Sequence, residues 1–228
     1  LQAQASLAYT PARSELGHLQ LVHGDNRLDA TGQLDEDRVA LQLSVQAPQL
    51  ADSFRDLSGN LEAQASVAGA RQAPDLQLQL DAGTLRLQDL RLDRLQANVQ
   101  LAEGGDADSR ADLTVTGLQR TGLLPVSGSL HVTGTRAQHG IGLQVEQAPA
   151  LLALSAGGSL DGDHWQGTLR HGDARWRNWR WQASSEPELA IQDRELRLAP
   201  HCWSDGEARV CVTAPARLGR SGTLQAEA

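Results

Sequence analysis

Val39, Leu41, Leu43, Val45 and Ala47 occupy every second place of RVALQLSVQA, residues 38–47, with Ala40, Gln42, Ser44 and Gln46 between them. A strict two-residue period predicts a β-strand with one face withheld from water. The pattern recurs along nearly the whole chain. Leu19 and Leu21 precede it, then Leu28 and Ala30 follow a turn at Gly24–Asn26, and Gln33–Arg38 (QLDEDR) reads as a polar turn. After it come Leu61, Ala63, Ala65 and Val67; Leu76, Leu78 and Leu80; Leu85 and Leu87, set off by a bulge or turn near Asp89; and Leu95, Ala97, Val99 and Leu101. Past a loop at 103–108, strands are expected at Leu113 with Val115, Leu130 with Val132, Ile141 with Leu143 and Val145, and Leu152 with Leu154. The last third supplies Leu169, Leu189 with Ile191, Leu196 with Leu198, Val210 with Val212, and Leu224. Helical spacing is nearly absent; Leu50, Phe54 and Leu57 predict at most one short helix or capping turn within 47–57.

The expectation is therefore an all-β chain: one continuous, repetitive, mostly antiparallel sheet over residues 1–228. A weak internal echo fits it, since SGNLEAQASVAGAR (58–71) and SGSLHVTGTR (127–136) share Ser-Gly, a later Val-x-Gly and a closing Arg. Composition then decides how such a sheet is used. One Phe, one Tyr, five Trp and no Met leave few bulky residues to plug a sandwich interior about 10 Å thick. A Leu, Val and Ala lining suits a curved sheet whose apolar side stays open. Roughly twenty strands at ~4.8 Å spacing would give a trough on the order of 90 Å long, a conduit and not a pocket. The residues expected to line it are Leu41, Leu43, Val45, Leu61, Val67, Leu76, Leu78, Leu80, Val99, Leu113, Val115, Leu130, Val132, Ile141, Leu143 and Val145.

Charge narrows the partners. A net charge of −8 repels phosphate backbones and argues against nucleic acid. No run of about 18 apolar residues exists to span a bilayer as a helix, and the absence of an initiating Met suggests a fragment of a longer protein. Cys202 and Cys211 are the only cysteines. If Asp205–Ala208 forms a four-residue hairpin loop, the two lie directly opposite on adjacent strands and within reach of a disulfide. A bridge would imply an oxidising compartment. Two buried thiols are the alternative, and a zinc site with His201 lacks a second close pair of ligands.

Several stretches together resemble a known family: VQAPQL (45–50), LSGNLEAQASVAG (57–69), DNRLDATGQL (25–34), WQGTLRH (165–171) and, most specifically, LAPHCWSDGEARVC (198–211). They are similar to the TamB family, inner-membrane subunits of the bacterial translocation and assembly module within the AsmA-like superfamily. The resemblance implies a periplasmic β-taco, a long sheet folded into a U with an open apolar groove. It implies phospholipid transfer between inner and outer membranes, or help in inserting outer-membrane proteins such as autotransporters, alongside a barrel partner. Acyl chains or apolar client strands would be the passengers. The family's N-terminal membrane anchor and its C-terminal partner-binding region are not found in this sequence.

Other motifs yield less. RWRNWRW (175–181) could stack bases or grip lipid head groups through cation–π contacts. The preferred reading is structural, with Trp179 and Trp181 sharing a strand face with Ala183 to narrow or cap the trough while Arg180 and Gln182 face water. AspGlyAspHis at 161–164 lacks the later ligands of a calcium loop and reads as a hairpin turn. No nucleophile elbow or partnered Ser–His pattern is present, so neither an enzyme nor a cofactor is expected. The competing reading is a closed β-solenoid or adhesin-like module, which would need stacked short repeats.

Overall fold

The computed structural model describes residues 1–10, 13–102, 107–218 and 226–227. The expected loop at 103–108 falls mostly outside them, as does Leu224. Every described strand pairing is antiparallel, and the chain divides into two compact units, Leu1–Ser127 and Gly128–Ala228.

The first unit is a meander in which each strand pairs with the next: β1 (Gln2–Thr10), β2 (Arg13–His23), β3 (Asn26–Asp35), β4 (Arg38–Ala47), β5 (Leu57–Ala70), β6 (Ala73–Leu87), β7 (Leu90–Leu101) and β8 (Ser109–Arg120). Among the described pairings β1 meets only β2, so the sheet is open and not a barrel. Two-residue turns join most neighbours. Gly24 opens the β2–β3 turn at φ 60°, a left-handed conformation that a Cβ disfavours.

Two expectations shift. The polar turn is shorter than QLDEDR, because Leu34 still pairs with Val39 and only Glu36 and Asp37 lie outside the strands. The Leu76–Leu80 and Leu85–Leu87 segments are one strand. Its register slips opposite Gly59 (φ 122°), and Thr84 adopts φ 50°, so a bulge breaks the sequence parity without ending the strand. The turn near Asp89 is the hairpin between β6 and β7. The short helix or capping turn expected within 47–57 is a single 3-10 turn, Leu50–Asp52.

In the second unit, which takes most of β9 (Val126–Gly134), come β10 (His139–Gln147), β11 (Ala150–Asp161) and β12 (His164–Trp176). The Val-x-Gly of the internal echo ends alike in both units: Gly69 and Gly134 lie at φ 113° and 117°. Beyond β12 the sheet divides. The C-terminal half of β12 pairs with β13 (Trp179–Ala183), while its N-terminal half pairs with β14 (Glu188–Gln192). Next, β16 (His201–Ser204) joins β13 and β15 (Glu195–Leu198) joins β14; then β17 (Arg209–Val212) joins β16 and β18 (Ala216–Leu218) joins β15. A last strand, β19 (Ala226–Glu227), pairs with β17. Three long strands are thus each cut once, at Pro187, Pro200 and Pro215. Proline has no N–H for the ladder, so a break recurring at the same level across consecutive strands is its direct consequence.

Little of this is covered by a second layer. Ala47, Leu50, Ala82, Trp165, Leu169 and Ala216 are the buried hydrophobic residues among those described.

Candidate functional site

Antiparallel pairing puts opposed residues on one face, so the register converts the alternation into rows. In the first unit, Leu19, Ala30, Leu43, Ala65, Leu78 and Val99 form one row across β2–β7. Beside it run Leu21, Leu28, Val45, Ala63, Leu80, Ala97 and Leu113. A third row is Gly32, Leu41, Val67, Leu76 and Leu101, and a fourth is Ala47, Leu61, Ala82, Leu95 and Val115. Every expected lining residue of this unit therefore falls in one of four adjacent apolar rows. Leu78 and Leu80 on β6 stand between smaller Ala and Val residues on β5 and β7, so the face is ridged there. Leu41 and Leu43 remain 45% and 39% exposed, which an overlying sheet would not allow.

The opposite parity is polar: Gln20, Asp29, Ser44, Gln64, Gln79, Asn98 and Asp112 share a row. Polar side chains on this face pair laterally, as where the Gln20 amide donates to Asp29 at 3.1 Å and, in neighbouring rows, Arg94 and Gln96 donate to Asp81 at 2.6 and 2.9 Å. Arg27 and Gln20 hold the Asp29 carboxyl below its ordinary range. These rows make this face of the sheet wettable, and recesses of about 540 and 500 Å³ lie along it.

One end of the apolar face is capped from within the chain. Asn26, buried, donates through Nδ2 to the Gln49 carbonyl (2.6 Å) and the Ser53 hydroxyl (2.8 Å), and accepts from the Gln49 N–H (3.2 Å). This ties the β4–β5 connection to the β2–β3 hairpin and seats Leu50 over Leu21, Leu28, Val45 and Leu61, around a cavity of about 480 Å³. Asn26 and Leu50 were not among the expected site residues. Asn26 reads in sequence as turn chemistry alone, and only the pairing of the two connections shows what it holds.

The second unit carries the remaining expected residues. Ile141, Leu143 and Val145 pair with Ala156, Leu154 and Leu152, and Leu130 and Val132 lie half-buried on neighbouring β9. The row through Val145 and Leu152 continues to Ala174 and Trp181, and the next joins Ala150 to Trp176 and Trp179. Trp181 is half-buried, as its expected role requires, but Trp176 and Trp179 are 49% and 60% exposed. Arg180 and Gln182 do not simply face water: both donate to Asp173, at 2.6 and 3.4 Å, and Arg175 donates at 2.7 Å. Asp173 has only 3% of its side chain exposed. Burial opposes its charge, yet the two guanidinium groups outweigh it and hold the carboxyl below the usual range.

Cys202 and Cys211 face each other across β16 and β17 and form a disulfide, with Cα atoms 4.0 Å apart. The hairpin loop is Asp205–Ala208, whose N–H groups at Glu207 and Ala208 donate to the Asp205 carboxylate. His201 keeps Nδ1 on the Ala199 carbonyl at 2.9 Å, and no cluster of three potential metal ligands occurs among the described residues. Asp161 and His164 close the β11–β12 hairpin as a pair. Among the described residues no helix is long and apolar enough to cross a membrane.

A family model described as "TamB, N-terminal domain" matches residues 1–228. The Translocation and assembly module subunit TamB of Haemophilus influenzae is 22% identical over 213 residues, covering 90% of this chain and 16% of that protein. The chain thus spans about a sixth of that relative's length. No solved structure matches it.

Proposed function

Because this chain belongs to the TamB family, we propose that its apolar rows form a stretch of a periplasmic passage that shelters hydrophobic cargo from water. The supporting observation is the set of four adjacent apolar rows in the first unit, including leucines about two-fifths exposed with no second layer over them. The cargo is the acyl chain of a phospholipid moving between the inner and outer membranes. Each methylene sheltered contributes ~0.8 kcal/mol, so a sixteen-carbon chain wholly covered would gain on the order of 10 kcal/mol. Along rows built almost entirely of Leu, Val and Ala, neighbouring positions offer nearly equal contacts, so displacement along the face costs little. The parent protein is anchored in the inner membrane, acts with an outer-membrane barrel partner in outer-membrane protein assembly, and does not work as an enzyme. The antiparallel meander also favours this reading over a closed solenoid, whose coils stack in parallel.

The test is a photo-crosslinking amino acid placed at Leu43 or, separately, at Gln42, in cells fed labelled phospholipid. Adducts at Leu43 and few at Gln42 are expected. Equal labelling at both positions removes the passage, and adducts with outer-membrane proteins alone replace lipid by client strands as the cargo.

A further inference from the structure

The end of the second unit where β10 turns into β11 and β12 into β13 combines features found nowhere else among the described residues. Val145, Leu152, Ala174, Trp176, Trp179 and Trp181 surround an apolar recess of about 420 Å³. The two turns are joined, the Arg177 N–H donating to the Pro149 carbonyl at 3.3 Å. Trp176 and Trp179 meet edge to face with centroids 6.1 Å apart, and the Arg177 guanidinium lies 5.0 Å from the centre of the Trp176 ring. Both indoles are about half exposed or more, so this aromatic wall faces solvent and is no part of a core.

The three arginines of the hairpin are not equivalent. Arg175 and Arg180 are committed to Asp173 on the polar side, in the row that also holds Glu146. Arg177 forms no ion pair among the described residues and lies against Trp176, whose indole lines the recess together with Arg175. It also occupies a left-handed position, φ 55°, where glycine or asparagine would fit with less strain. An uncommitted guanidinium against an indole, next to an apolar hollow, suits a molecule with an anionic head and a hydrocarbon body: arginine presents a planar fork to phosphate, and tryptophan sits well where oil meets water.

We propose that this recess is a phospholipid station, with the phosphodiester on Arg177 and the first acyl methylenes against Trp176, Trp179 and Leu152. The inference rests on the passage reading and deepens it, by giving one end of the second unit a place that recognises the head group where the rows recognise only the tail. The head is then held outside the apolar face while the chains lie along it.

The experiment uses the 228-residue chain with a photo-crosslinker at Leu152 or at Leu43, and radiolabelled phosphatidylglycerol or diacylglycerol of equal chain length. Phosphatidylglycerol should label Leu152 at least about fivefold more than diacylglycerol does. Arg177→Gln should abolish that preference, and Arg177→Lys should keep much of it. Labelling at Leu43 should be the same in all three, which also reports that the variants fold. Labelling at Leu43 but not at Leu152 overturns the station and leaves the passage standing, whereas labelling at neither overturns both. Unchanged head-group preference in Arg177→Gln overturns the role of Arg177. Sedimentation of the chain with phosphatidylglycerol vesicles without labelling at Leu152 replaces the station by contact with a membrane surface.

Discussion

Truncating Leu43 to alanine asks directly whether the apolar rows are covered. Three carbon atoms are removed, worth about 2.4 kcal/mol if they were wholly withdrawn from water. Leu43 is 39% exposed, so roughly three-fifths of that, about 1.5 kcal/mol, is at stake. No cavity penalty is added, because no overlying layer would be left with a void. Leu50 supplies the contrast: it sits in the β4–β5 connection and is 4% exposed, so Leu50→Ala should lose the full transfer energy plus a cavity term, about 3–4 kcal/mol. Urea unfolding followed by circular dichroism measures both differences under one set of conditions. The expected gap between them is about 2 kcal/mol, or roughly thirtyfold in the folding equilibrium. Equal losses near 3 kcal/mol at Leu43 and Leu50 would refute the open face, since they would require something packed upon Leu43.

Asn26→Ala should free the β4–β5 connection at a cost of about 2 kcal/mol, because three hydrogen bonds lose their partner; faster amide exchange at Ser53 and Phe54, with the β6–β7 hairpin unchanged, is the readout. Asp173→Asn should lower stability by about 2 kcal/mol at neutral pH, limited by the solvent that reaches both arginines. Because the folded carboxyl titrates below the unfolded one, its contribution is complete above about pH 4 and is lost as pH falls further. Unfolding midpoints of wild type and Asp173→Asn should therefore converge in acid, and a constant gap down to pH 2 would contradict the pairing. Reducing the Cys202–Cys211 bridge, or Cys202→Ser with Cys211→Ser, should cost roughly 2–3 kcal/mol for a loop this short, read as a lower urea midpoint of the second unit.

The strands were legible because the two-residue period of Leu, Val and Ala leaves no helical face to choose. Turn length then sets register, which is why the loop at Asp205–Ala208 sufficed to place Cys202 opposite Cys211. What escaped is what register alone reveals. Leu80 and Leu85 break parity and read as two strands, whereas the bulge at Thr84 carries one strand through. Pro187, Pro200 and Pro215 are visible in the sequence, but nothing local shows that they interrupt three neighbouring strands at one level. The alternation correctly put Trp179 and Trp181 on one face. It could not show that Trp179, at the start of its strand beside a two-residue turn, has too few neighbours to be buried. Asp173 gave no signal, since its burial depends on arginines two and seven residues away folding back over it.

The central claim, that the apolar rows are occupied by lipid chains and not sealed by protein, is tested most directly by methyl NMR of the leucine-labelled chain with a phospholipid carrying a nitroxide in its acyl chain. Broadening should concentrate on Leu28, Leu43, Leu78 and Leu113 and spare Leu123 and Leu124, which are 60% and 61% exposed in the β8–β9 loop. Broadening of the loop leucines alone, or of every leucine in proportion to its exposure, would contradict it.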